Sequence, residues 1–199
     1  YKSLGFIDDI RPLPAAVRFS AHALAAIILV VGLSPLPQSI AGIPIVIPAW
    51  LMQVLLVLAV MWGINLWNFM DGIDGLAGSQ AMIVLAGLTV VAGCSGSSGI
   101  LPAVMTGLVG GFLLWNLSSR RLFMGDAGSG FLGISVLLLI VVLWTRGDMP
   151  IWSGVLATAM MWVDATVTLV RRTLRGQRPW VAHRSHVYQH LVHGNWSHR

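Results

Sequence analysis

The sequence predicts an all-α, polytopic membrane helical bundle, on three observations. Of 199 residues, 56% are hydrophobic and 10% are charged, whereas soluble domains carry about a quarter charged residues. The apolar residues gather in six runs separated by connections that hold nearly all the charge. Those runs are continuous rather than alternating, which argues against the strands of a membrane barrel. It argues instead for helices, whose backbone groups are satisfied within each segment. The same composition excludes a disordered chain. The one cysteine, Cys94, cannot form an intramolecular disulfide. No charged region, short apolar core and cleavage site open the chain, so no signal peptide is expected.

The expected spans run over 15–33, 50–67, 76–93, 101–117, 130–144 and 151–170, each close to the ~20 residues that cross the hydrocarbon. The connections then alternate sides. One side receives residues 1–14, 68–75, 118–129 and 171–199; the other receives 34–49, 94–100 and 145–150. Counting Arg18, just inside the first span, the first side holds eleven Lys and Arg residues and the second only Arg146. This imbalance makes the first side cytoplasmic, and it gives the net charge of +5 a membrane meaning rather than a nucleic-acid one. Asp8, Asp9, Asp71, Asp74 and Asp126 fall in the cytoplasmic connections, and Asp164 lies about two turns before the cytoplasmic end of the last span. Only Asp148 is on the far side. The carboxylates therefore mark one face as a site and leave the other as connection.

Four segments on that face could carry chemistry. In Gly5-Phe6-Ile7-Asp8-Asp9-Ile10-Arg11, adjacent carboxylates repel unless a metal or a cation is near or one is protonated. They are either a base or metal-organising pair, or a solvated helix end beside Arg11. In the stretch from Asn65 to Gly78, Asn65 and Asn68 share a helix face at i, i+3, and Asp71 and Asp74 continue the spacing. Oxygen donors of this kind suit a hard cation such as Mg²⁺; the plainer alternative is a capping turn between two spans. The spacing is not that of an EF-hand.

In the third segment, from Asn116 to Gly130, Asp126 sits among small residues where a span begins. It could cap a helix or let a phosphate or metal approach the backbone. Neither a Walker A lysine nor a GxGxxG fingerprint is present. The fourth segment, 171–190, holds five arginines and three histidines. On a helix His183, His186 and His190 would share one face. Arginine grips phosphate bidentately, while a polybasic stretch can also rest on anionic lipid, and three histidines could hold zinc. His22 reads as a packed helix residue. Asp164 reads as functional or as a partner of Arg171 or Arg172.

In this order the four segments resemble the polyprenyl-phosphate N-acetylhexosamine-1-phosphate transferase superfamily, glycosyltransferase family 4. The acidic pair is similar to the family's first motif, Asn65–Gly78 to its NxxNxxDGxDGLA motif, Phe123–Ser129 to its FMGDxGS motif, and His183–His186 to its H-x-R-x-H motif. The last loop lacks the consecutive histidines of the cell-wall MurNAc-pentapeptide branch, so it looks like the branch that initiates O-antigen or other surface glycans. The resemblance implies transfer of HexNAc-1-phosphate from a UDP-HexNAc to undecaprenyl phosphate with release of UMP, at the cytoplasmic face of a bacterial inner membrane. It implies Mg²⁺, or Mn²⁺, on Asp126 with Asn68 as second ligand. Asp8 or Asp9 would be the base or would orient the acceptor. Asp71 and Asp74 would hold the uridine diphosphate moiety, Phe123 would stack on uracil and Asn116 would bond its edge, Asn65 would be a further substrate-binding residue, and His183, Arg184 and His186 would grip phosphates.

The resemblance treats residues 1–199 as one membrane transferase domain. The family's early spans, and its closing spans after the last loop, are not seen in the chain, which therefore reads as a fragment. The expected partners are the two substrates and the bilayer, with no nucleic acid; a homodimer stays open, as does the identity of the N-acetylhexosamine. The competing class is a transporter or channel subunit with a cytoplasmic polar vestibule, which would carry ionisable groups near the bilayer midplane on broken helices. A non-catalytic scaffold would leave five cytoplasmic carboxylates unexplained.

Overall fold

A computed structural model describes residues 14–40, 46–97, 99–119 and 122–176. These residues form seven helices: α1 (Ala15–Gly32), α2 (Ala49–Met70), α3 (Leu76–Cys94), α4 (Ile100–Ser119), α5 (Gly125–Thr145), α6 (Ile151–Ala157) and α7 (Ala159–Leu174). They contain no strand beyond an isolated bridge between Ser39 and Val46. The expected bundle is therefore present. Helices α2, α3, α4 and α5 are long and apolar enough to cross a membrane, the α6–α7 pair makes a fifth span if read as one, and α1 is apolar but shorter. Prolines set several starts. Pro14, Pro48 and Pro150 directly precede α1, α2 and α6, where an absent N–H and a fixed φ cost the helix nothing.

Helix α5 is the axis of the bundle. It packs on α2 and α3 and touches α1 and α6, and its most apolar window is 61% buried, against 22% for α4. Gly133 allows the α2–α5 crossing: a Cβ there would sit 2.9 Å from the Trp67 Cβ and 3.4 Å from the Ile64 backbone. Around this crossing lie two apolar clusters. One joins Trp67 and Met70 to α3, α4 and α5, and the other joins Ile64 to Ala26, Val30 and Val141.

Three differences from the expected boundaries bear on the site. Helix α2 continues to Met70, so Asn68 lies on its last turn rather than in a connection. Helix α5 begins at Gly125, which places Asp126 in its first turn. The polar Gly-Asp-Ala-Gly-Ser run winds into helix although its glycines are poor helix formers; Asp126 in the first turn faces the positive end of the helix dipole and favours it. The last span is broken rather than continuous, bending by 68° between α6 and α7. At the break Thr158 Oγ bonds the Gly154 carbonyl at 2.8 Å, Trp162 Nε1 donates to that hydroxyl at 2.9 Å, and Gln80 of α3 donates to the Ala157 carbonyl at 3.1 Å. A backbone oxygen that leaves the helical ladder inside an apolar layer needs such a partner.

Candidate active site

Antiparallel succession brings the start of α1, the end of α2 and the start of α5 to one end of the bundle. There Asn68 Nδ2 donates to Asp126 Oδ1 at 2.8 Å and lies 3.3 Å from Ser129 Oγ. The other Asp126 oxygen, Oδ2, faces Arg18 Nη1 at 3.5 Å. A carboxylate only accepts, so the amide of Asn68 must turn its nitrogen toward Asp126. With the nitrogen spent there, the oxygen is what Asn68 offers a cation. Ser129 follows Asp126 by three residues, is fully buried and directs its hydroxyl at the Asp126 carbonyl at 3.4 Å. It braces the first turn that carries the carboxylate.

A second cluster lies on α4 and the connector to α5. Asn116 is buried, and its Nδ2 donates to the Leu122 carbonyl at 2.8 Å. This fixes the amide orientation, since a carbonyl cannot donate. Its Oδ1 is buried and has no partner among the described residues. Beside Leu122, Phe123 is 71% exposed. An exposed aromatic side chain thus follows directly on the residue whose carbonyl Asn116 holds, and Phe123 stands three positions before Asp126.

The remaining predicted residues of the second segment lie close in sequence to Asn68. Asn65, one turn earlier on α2, is buried with its Nδ2 unpartnered among the described residues. Asp71 ends α2, and Asp74 is half-buried in the turn before α3. Gly75 makes that turn possible with φ +79°, a conformation that other residues adopt at a cost. A Cβ there would also strike the Leu117 side chain of α4. That contact ties the Asp71–Asp74 turn to the end of the helix bearing Asn116. Asp8, Asp9, His183, Arg184 and His186 lie outside the described residues.

Arg18 and Ser129 were not among the predicted site residues. Arg18 could have been found by the argument applied to Asp164, that an ionisable side chain inside a span has a reason to be there. His22, one turn further along α1, is buried and its ring lies 6.3 Å from that of Phe19.

The donor set can be tested against the divalent ion that the resemblance implies. Among the described residues no three His, Cys, Asp or Glu side chains gather at ligand spacing. A carboxylate, an amide oxygen and a neighbouring hydroxyl nevertheless suit Mg²⁺, which takes one or two carboxylates and leaves its other positions to phosphate oxygens and water. The residues fit that ion, and they do not suit a thiolate- or imidazole-bound metal.

Comparison with known proteins shows the family. Residues 2–144 match the model of a family described as glycosyl transferase family 4. The probable undecaprenyl-phosphate N-acetylglucosaminyl 1-phosphate transferase of Bacillus subtilis is 31% identical over 98% of this chain and 56% of its own length. The decaprenyl-phosphate N-acetylglucosaminephosphotransferase of Mycolicibacterium smegmatis is 32% identical over 99% of this chain and 55% of its own. A phospho-N-acetylmuramoyl-pentapeptide-transferase from a Synechococcus strain is 30% identical over 99% and 62%. The chain spans a little over half the length of these curated relatives.

Proposed function

The chain belongs to glycosyl transferase family 4, and from that premise we propose that it forms the catalytic face of a membrane enzyme. The enzyme transfers an N-acetylhexosamine-1-phosphate from a UDP-sugar to undecaprenyl phosphate and releases UMP. We place the reaction at the cytoplasmic side of a bacterial inner membrane, where a soluble donor and a lipid phosphate can meet. The single observation that carries the reading is the convergence of Asn68, Asp126 and Arg18 from three helices at one end of an apolar bundle.

The reaction brings a lipid phosphate against a pyrophosphate, so its barrier is largely charge repulsion and positioning. A divalent ion held by Asp126 and the Asn68 oxygen would supply neutralisation of the diphosphate and of the departing UMP. Asn68 holds Asp126 in one rotamer, and Ser129 fixes the turn beneath it. Phe123 offers a face for uracil. The Oδ1 of Asn116 would accept a base N–H, its nitrogen being already committed to Leu122; that oxygen is buried, so the connector must give way to admit the base. Asp71, Asp74 and Asn65 line the approach to the donor. Asp8 or Asp9 takes the acceptor's proton or aligns its phosphate, and His183, Arg184 and His186 close on phosphates.

The relatives named for GlcNAc transfer support a GlcNAc-type donor. The single-histidine spacing of His183 and His186 favours initiation of O-antigen or another surface glycan over the MurNAc-pentapeptide step. The break between α6 and α7 is a feature that transporters share, but the bonds seen at the break itself are those of Gln80, Thr158 and Trp162, none of them ionisable.

The deciding experiment incubates the intact membrane protein with undecaprenyl phosphate and a panel of UDP-HexNAc donors, and reads the lipid product by mass and UMP by release. A lipid-linked HexNAc diphosphate from at least one donor is expected. Turnover should be lost in EDTA and restored by Mg²⁺ or Mn²⁺; activity indifferent to EDTA would remove the ion from the scheme. No product from any donor, with substrate flux into liposomes instead, would favour the transporter.

A further inference from the structure

The two oxygens of Asp126 are held in unlike ways. Oδ1 accepts a bond of ordinary length, 2.8 Å, from Asn68, a neutral group on the last turn of α2. Oδ2 meets Arg18 at 3.5 Å, well beyond the 2.7–2.9 Å of a strong charge-assisted bond. The Arg18 and Asp126 side chains are 42% and 36% exposed, so water screens the pair and its strength is that of a surface ion pair. Arginine also carries its charge on a long stem with many rotamers, and Arg18 sits in the first turn of α1, at the rim of the bundle. Of these two contacts, the amide's is the firmer and the guanidinium's the easier to give up.

We propose that Arg18 is a positioning residue that stands in for the divalent ion. It neutralises Asp126 while the site holds no cation, and it is displaced from Oδ2 when the cation arrives. The proposal rests on Asp126 as a cation ligand, the reading given above. A monovalent guanidinium keeps the carboxylate ionised and aimed, so that the metal enters a prepared site. Because arginine and cation contend for one oxygen, the arginine weakens the cation's hold and makes it exchangeable. A fixed structural partner would act in the opposite direction: its loss would let Asp126 wander and would weaken the cation's binding.

The sign of one measurement separates the two. Mn²⁺ is titrated into the intact protein in detergent, without substrate, and bound ion is followed by electron paramagnetic resonance for wild type, Arg18→Ala, Arg18→Gln and Asp126→Asn. Wild type is expected to bind Mn²⁺ in a manner that Asp126→Asn abolishes. Both Arg18 variants are expected to bind it about 2- to 5-fold more tightly, the factor equivalent to an ion pair of surface strength. In chelator the Arg18 variants should melt at or below the wild-type temperature, and Mn²⁺ should raise their Tm by more than it raises that of wild type. Unchanged or weaker binding in both Arg18 variants, with Asp126-dependent binding intact in wild type, would overturn the placeholder alone. Wild type that binds no Mn²⁺ through Asp126 would overturn both the placeholder and the metal reading on which it rests.

Discussion

At the end of the bundle where α2 stops and α5 starts, Asn68 reaches partners 58 and 61 positions away in sequence, and Asp126 meets Arg18 across 108. At the opposite end, where α1 stops and α2 starts, Gln53 reaches Ser34 across 19 positions. Hydroxyls there, that of Ser34 included, also turn back on the preceding turn: Ser34 to Val30, Ser95 to Val91 and Thr145 to Val142. Bonds of the second kind finish helix ends, and water can replace them at a cost of about 1 kcal/mol or less. Bonds of the first kind exist only when three helices are packed in one way. A fold that assembles a carboxylate, an amide and a guanidinium at one rim has placed there polar contacts that depend on the packing of three helices.

The most direct way to break this contrast is Asp126→Asn. The change is nearly isosteric and removes one charge at a half-exposed position, so insertion and solubility in detergent should persist. UMP release should fall by about 10³-fold or more, as for loss of a main electrostatic stabiliser. Turnover within tenfold of wild type would show that the long-range bonds at this end serve packing.

A smaller effect is expected from Gly133→Val, which attacks the crossing rather than the site. The added side chain meets Trp67 and the Ile64 backbone at the α2–α5 contact, and overpacking of this sort costs about 1–3 kcal/mol. The melting temperature should drop, and activity should fall further than the folded fraction, because separating α2 from α5 parts Asn68 from Asp126. Gly133→Ala should show the same order of effects on a smaller scale. If Gly133→Val melted like wild type, the crossing would not be the element that holds the two residues together.

How much of this could be read without coordinates depends on range. The helices were legible because a membrane helix must be apolar along nearly its whole length, and the connections that share an end were legible because successive helices reverse direction. Asn68 and Asp126 were legible as candidates by type and position. Their partnership with Arg18 was not, since no local pattern connects residues so far apart. The break at Thr158 was hidden for a related reason. The segment from Ile151 to Leu174 has no internal proline, and the kink persists because Gln80 of another helix satisfies the Ala157 carbonyl. The polar first turn of α5 was hidden by the opposite bias: a search for apolar runs starts the helix at Gly130 and misses the turn that holds the carboxylate.

Phe123→Ala sharpens the division of labour within the active end. The side chain is mostly exposed, so its loss should leave the melting temperature unchanged. If it stacks on the donor's base, the KM for the UDP-sugar should rise about tenfold, in keeping with ~1–3 kcal/mol per base stacked on an aromatic ring. The affinity for undecaprenyl phosphate should stay the same. An equal loss for both substrates would move Phe123 from base recognition to general support of the connector.

The smallest effect belongs to the far end, and it is the control for all the others. Gln53→Ala removes the Gln53–Ser34 bond at 3.1 Å between α2 and the end of α1. Gln53 is half-buried, so water can take its place on Ser34, whose hydroxyl still bonds the Val30 carbonyl at 3.0 Å. The expected loss of stability is about 0.5 kcal/mol, within the range for a substitution away from core and site. Turnover should stay within about twofold of wild type, which at RT per natural-log unit is no more than that same free energy. A tenfold fall in turnover with an unchanged melting temperature would mean that the two ends are coupled through α2. The far rim would then be part of the working site rather than a closure.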